Sequence, residues 1–139
     1  MMATIQVEIV TPERKVFQGE ADILIARGVE GELGVQAGHA PLVTPLKTAP
    51  IRIKRDGKET LIAVSGGFLE VRPEKVNVLA DTAELPEEID VEAAKAEKAR
   101  HEQALAGLSK DDPAYSMHKR ALERAEVRLK VAESANKGY

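Results

Sequence analysis

The sequence predicts an α+β chain: a β-sandwich, or flattened barrel of about ten short strands, over residues 1–85, then an antiparallel helical hairpin over 86–139. Three observations carry this. Up to about Pro86, β-branched and aliphatic residues alternate with polar ones at a period near 2; beyond it apolar positions recur at a period near 3.6. Eight of the ten glycines lie before Pro86, and eleven alanines lie after it. The second part is interrupted once, between Gly107 and Pro113, which divides it into helices at about 91–106 and 113–134.

Ile5, Val7 and Ile9 alternate with Gln6, Glu8 and Val10, the pattern of a half-buried strand, and Thr11-Pro12 ends it. Val16-Phe17 and Ile23-Leu24-Ile25 predict two more strands, with Gly19 as the break between them. Residues 28–39 are punctuated by glycine, with short apolar pieces at Val29 and Leu33-Gly34-Val35. Pro41, Pro45 and Pro50 then keep the chain extended, because proline fixes φ and restricts the residue before it. Asp56-Gly57, between apolar runs at 51–54 and 60–64, signals a tight hairpin whose central residues take positive φ. The runs 68–71 and 76–79, joined by a Pro73-Glu74 turn, complete a set of evenly spaced short strands.

Asp90 is placed to cap the first helix, its carboxylate accepting first-turn amide protons, with Glu92 near the positive end of the helix dipole. Gly107 is placed as a left-handed C-cap, and Asp112-Pro113 as the N-cap and first residue of the second helix. Tyr115, His118, Leu122, Ala125, Leu129 and Ala132 follow steps of three and four, a continuous seam. Ala93, Ala96, Ala99 and Ala106 are expected to face it. Alanines bury little apolar surface, at about 0.8 kcal/mol per CH₂, so the hairpin should close only weakly.

The net charge of −3 is too mild to point to nucleic acid or an anionic membrane surface. Its distribution is more telling: residues 86–112 hold four basic and eight acidic residues, and 113–139 hold six basic and three acidic. Helices of opposite sign favour pairing and leave the second able to meet an acidic partner. The absence of cysteine excludes disulfides, thiol catalysis and thiolate metal sites. There is no basic, apolar leader and no apolar run of bilayer-spanning length, so a soluble cytosolic chain is expected, reaching a membrane only through a partner. Four aromatics are too few for a stacking platform on single-stranded nucleic acid.

Gly28, Gly31, Gly34 and Gly38 superficially resemble a phosphate loop, but such a loop runs from a strand into a helix, and His39-Ala40-Pro41 follows here. They read as turn glycines. His39, His101 and His118 show no ligand spacing in the sequence, so no metal site is expected; His39 reads as a loop residue and His118 as part of the helical seam. Ser65 precedes Gly66-Gly67 without the first glycine of a nucleophile elbow. Glu87-Glu88 and Asp111-Asp112 lie where helix starts favour acidic residues. No catalytic set is visible, which disfavours a hydrolase.

Gly31-Glu32-Leu33-Gly34-Val35, Gly38-His39-Ala40-Pro41-Leu42-Val43 and Val64-Ser65-Gly66-Gly67-Phe68-Leu69-Glu70-Val71, in this order, resemble the epsilon subunit of bacterial rotary ATP synthase. The resemblance runs over nearly the whole chain, and its sandwich strings are more specific than its alanine-rich hairpin. It implies a non-catalytic central-stalk subunit that couples proton-driven rotation to ATP synthesis, peripheral at the cytoplasmic face of the cell membrane and not inserted in it. The implied partners are the gamma subunit, the ring of c subunits and, when the hairpin extends, an acidic segment of the beta subunit in the catalytic head. The implied rotor-ring contact is Glu30, Gly31, Glu32 and Leu33, with His39 nearby. In the extended state the hairpin inhibits ATP hydrolysis through a basic face, here Lys119, Arg120, Arg124, Arg128 and Lys130.

Some members of that family bind ATP in the folded hairpin through Ile or Leu, Asp, two variable residues, Arg and Ala. The matching string is Ile89-Asp90-Val91-Glu92-Ala93-Ala94, with alanine at the arginine position. Glu84, Arg100, Arg124 and Arg128 align with further nucleotide-contacting positions. The resemblance thus implies no required cofactor, and ATP, with or without Mg²⁺, as a weakened regulatory ligand. One lost charge-assisted hydrogen bond costs about 1.5–3 kcal/mol, roughly ten- to a hundredfold in affinity. A free-standing ATP-sensing module is the alternative.

Overall fold

The computed structural model describes residues 3–135. Its strands are β1 (Ile5–Val10), β2 (Lys15–Ala21), β3 (Ile23–Gly28), β4 (Gly31–Val35), β5 (Leu42–Pro45), β6 (Ala49–Arg55), β7 (Lys58–Ser65), β8 (Phe68–Val71), β9 (Lys75–Leu79) and β10 (Thr82–Glu84). They form two five-stranded sheets, ordered β2-β1-β9-β8-β5 and β10-β7-β6-β3-β4. Pairing is antiparallel except between β1 and β9. The inward residues of the predicted alternations fill the core: Ile5, Val7, Ile9, Leu69, Val76 and Val78 from the first sheet meet Leu24, Val35, Ile51, Ile62 and Val64 from the second. This is the expected sandwich.

Gly19 does not separate two strands. It lies inside β2 opposite Val7, and the chain changes sheets at Asp22. That corner is held by side-chain chemistry: the Asp22 carboxylate accepts the Asp56 amide proton at 2.9 Å and an Arg55 guanidinium proton at 3.3 Å. Asp56 and Gly57, at φ 52 and 77, form the tight β6–β7 hairpin that their sequence demands. Residues 31–35, punctuated by glycine, form a full edge strand, β4, paired to β3. Pro50 sits in β6 beyond the last residue paired to β3, so its missing N–H leaves no ladder bond unmade on that side.

A short 3₁₀ turn at Pro86–Glu88 leads into α1 (Val91–Ala106), and α2 (Pro113–Ala135) returns antiparallel to it. Asp90 caps α1 by accepting the Ala93 amide proton at 3.0 Å; Asp112 does the same for Ala114 at 2.8 Å. Gly107 is not left-handed: its φ is −97, and the helix instead unwinds through tight bonds from Gly107 N–H to Ala104 O and Leu108 N–H to Leu105 O. Ala93, Ala96, Ala99 and Ala106 do not face α2 but are exposed. Steps of three fall short of a 3.6-residue turn and wind off the face. The inward row is Val91, Ala94, Lys98, His101 and Leu105, whose alternating steps of three and four stay on it. On α2 the predicted seam is buried or half-buried throughout, and Ala121 and Val131 are buried beside it.

Candidate functional site

The hairpin lies on the outer face of the second sheet through α2, which crosses β6 and β7. Val127, Val131 and Ala132 pack there against Leu61, Ala63 and Ile89. Among the described residues one ion pair joins the layers: Arg128 Nε donates to Glu84 Oε1 at 2.7 Å and Nη2 donates to Oε2 at 3.3 Å. A second tie runs from Arg14, whose Nη2 donates to Glu88 Oε1 at 2.9 Å while that carboxylate also accepts the Leu85 amide proton. Those two bonds, the Arg14 one first, hold the Glu88 carboxyl below its ordinary value.

Where α1, α2 and the sheet converge there is a cavity of about 240 Å³, lined by Glu84, Glu97, Arg124, Arg128, Thr48 and Ser65 among others. Three of the residues implied for nucleotide contact, Glu84, Arg124 and Arg128, therefore meet here. The others do not. Ile89 is committed to the apolar cluster under α2, the Asp90 carboxylate caps α1, Ala94 is fully buried, and Arg100 is exposed on α1. The two arginines in the cavity are balanced by two carboxylates, and Arg128 is already engaged by Glu84. Thr48 and Ser65, whose hydroxyls lie 3.4 Å apart, add neutral hydrogen-bonding groups.

The five basic residues of α2 do not form one face. At 3.6 residues per turn Arg120, Arg124 and Arg128 make one row, which runs into the cavity, whereas Lys119 and Lys130 fall on another side. Lys130 borders a separate concavity over Arg27, Glu32 and Arg52. The implied rotor-ring residues are divided as well. Glu30 lies in the exposed β3–β4 turn formed with Val29, and Gly31, Glu32 and Leu33 follow in β4, but His39 lies past the opposite end of β4. There Gly38 N–H bonds to Pro73 O, and the His39 Nδ1 is 2.7 Å from Ala40 O. The intervening strand is five residues long, about 3.3 Å each, which keeps the two ends apart.

The first sheet carries an apolar row on its outer face. Register aligns Val10 with Leu79, Leu79 with Phe68, and Phe68 with Pro45. Phe68 and Leu79 are 51% and 48% exposed.

The structure also brings together two histidines that the sequence left apart. His101 and His118 lie five residues in from the facing ends of their helices, and their Nδ1 atoms are 2.9 Å apart across the seam. No third ligand joins them: among the described residues there is no cluster of three or more His, Cys, Asp or Glu able to hold a metal.

Two family profiles match the chain, the beta-sandwich domain of the ATP synthase delta/epsilon chain over residues 4–86 and its long alpha-helix domain over 87–133. The chain belongs to the ATP synthase epsilon-subunit family. The ATP synthase epsilon chain of Brevibacillus brevis is 60% identical over 105 residues, 75% of this chain and 80% of that one. That of Shouchella clausii is 48% identical over 132 residues, 95% and 97% of the two chains. Among solved structures, a chain of the Euglena gracilis mitochondrial ATP synthase assembly containing OSCP, F1 and the c-ring superposes with a TM-score of 0.76 at 26% identity, covering 96% of this chain and 82% of that one. As an epsilon-family member the chain is a non-catalytic subunit of the synthase, and no helix among the described residues is long and apolar enough to cross a membrane.

Proposed function

We propose that the sandwich seats this subunit in the central stalk, against gamma and the c-ring, at the cytoplasmic face of the membrane, and that the hairpin is a mobile brake on ATP hydrolysis. The observation that carries it is the difference in how the two parts are held. The sandwich is closed by large aliphatic side chains, whereas the hairpin rests on it through a few small apolar residues and the Arg128–Glu84 ion pair. Such a contact is removable without unfolding the sandwich. Opening it frees Arg128 and leaves Arg120, Arg124 and Arg128 as one row able to meet an acidic segment.

The apolar row Val10, Leu79, Phe68 and Pro45 supports a protein neighbour on the other side of the sandwich, and the exposed Val29–Glu30 turn supports a polar contact at its end. ATP acts as a weak ligand of the closed state. The cavity is smaller than the usual 300–1,000 Å³ ligand site and has no excess positive charge. A ligand of the closed form adds RT ln(1 + [L]/Kd), about 2.7 kcal/mol at a hundredfold excess, enough to shift a balanced hairpin.

Truncation after Glu84 tests the brake. The shortened subunit should assemble with gamma and the remaining synthase, and ATP hydrolysis by the complex should rise. Assembly with unchanged hydrolysis would remove the hairpin from control of the enzyme. Calorimetric titration with MgATP tests the ligand: weak binding is expected, tightened about ten- to a hundredfold by Ala93→Arg.

A further inference from the structure

We propose that the facing imidazoles of His101 and His118 form an acid-sensitive clasp that holds α1 against α2. The Nδ1 atoms are 2.9 Å apart and the ring centroids 5.1 Å apart, with the planes tilted by 49°. At that separation one Nδ1–H donates to the lone pair of the other Nδ1. Both rings neutral satisfy the contact, and one imidazolium beside one neutral ring still leaves one donor facing one acceptor. A second proton removes the only acceptor, so two N–H groups and two positive charges then face each other across the seam. Opening relieves both. The pair therefore tolerates the first proton and is broken by the second.

The charged groups around the pair act in the same sense on balance. Arg100 and Glu97 approach from α1, and Arg124 from α2, the helix against which α1 packs. Desolvation first, then the Arg100 charge and His118, with a smaller contribution from Arg124, hold His101 below its ordinary value of 6.5, opposed by Glu97. The closed hairpin thus binds fewer protons at His101 than the open one. Its stability is fully present above about 6.5 and declines as the pH falls from there through the lowered value of the closed state. Relevance to regulation rests on the mobile hairpin proposed above; the clasp is a property of the isolated subunit.

The native chain has no cysteine, so Ala96→Cys and Glu126→Cys, both at exposed positions, allow one spin label on each helix of the full chain. Pulsed electron resonance, with a chelator present, reads the distance between them. Between about pH 8 and about pH 5.5 the short-distance population should fall, and His101→Gln or His118→Gln should abolish most of that loss. A population that does not respond to pH, or an equally steep loss in both variants, would overturn the clasp. Should a glutamine variant open the hairpin at every pH, imidazole resonances of the unsubstituted chain decide. Two coupled titration steps, the lower coinciding with loss of α1–α2 contacts, are expected; two independent titrations at the ordinary histidine value would refute it. None of these outcomes depends on whether the hairpin restrains ATP hydrolysis.

Discussion

The sandwich and the hairpin are built from different side chains, and the difference sets what each can do. Among the described residues every fully buried isoleucine and leucine belongs to the sandwich: Ile5, Ile9, Leu24, Ile51, Ile62 and Leu69. Of the five helical residues that are buried, four are alanines and the fifth is Val131. Burial stabilises in proportion to apolar area, so the sandwich is one cooperative body and the hairpin an element that opens at lower cost. A rigid seat and a loose arm are what the proposed brake requires of its two parts.

The largest expected effect is in the sandwich. Leu69→Ala should destabilise the whole chain by about 2–5 kcal/mol, read as a lower urea midpoint followed by a strand-sensitive probe. Val131→Ala removes about two CH₂-equivalents from the α2 contact, about 1.6 kcal/mol, and should lower hydrogen-exchange protection in α1 and α2 while the strands keep theirs. If both substitutions shift helices and strands together, the two regions form a single unit and the comparison fails. Arg128→Ala should act on the same opening by about 1–2 kcal/mol, roughly a tenfold change in the closed fraction, because it leaves the half-buried Glu84 unpaired. Asp90→Ala should cost about 1 kcal/mol, confined to the first turn of α1, where the Ala93 amide loses its acceptor.

The smallest effect separates two acid responses. Glu88 is held below its ordinary 4.5 by Arg14 and the Leu85 amide, so its contribution is present above about 4.5 and lost as pH falls through the lowered value. Loss of protection at the Pro86–Glu88 turn should therefore occur at lower pH than helix separation, and Arg14→Ala should weaken the Glu88 response without moving that of the histidines.

Strand alternation, the Asp56-Gly57 hairpin, both helix N-caps and the helix limits were legible because each depends on neighbours in the chain, and the family was legible in the strings around Gly31, His39 and Gly66. Gly19 and Gly107 depart from the sequence expectation for a common reason. Glycine permits a break or a left-handed turn but does not require one, and pairing with Val7 or tight bonding to Ala104 decided otherwise. The candidate site was only half legible. Arg124 and Arg128 lie on one helical row with a spacing of four, but their convergence with Glu84, Glu97, Thr48 and Ser65 needs α1, α2, β7, β10 and the β5–β6 connection to meet. The equal distance of His101 and His118 from the interhelical turn was a signal in the sequence, visible once both were placed on the seam.

Local chemistry alone determined which segments of this protein are strands, which are helices, and that the helices would be lined with small residues. The tertiary structure decided which face of α1 turns inward, which arginine is held by Glu84, and that two histidines share a hydrogen bond. Propensity, capping and periodicity act over a few residues, whereas these contacts are set by how α2 lies on the sheet and α1 on α2, geometry that no short stretch of sequence contains.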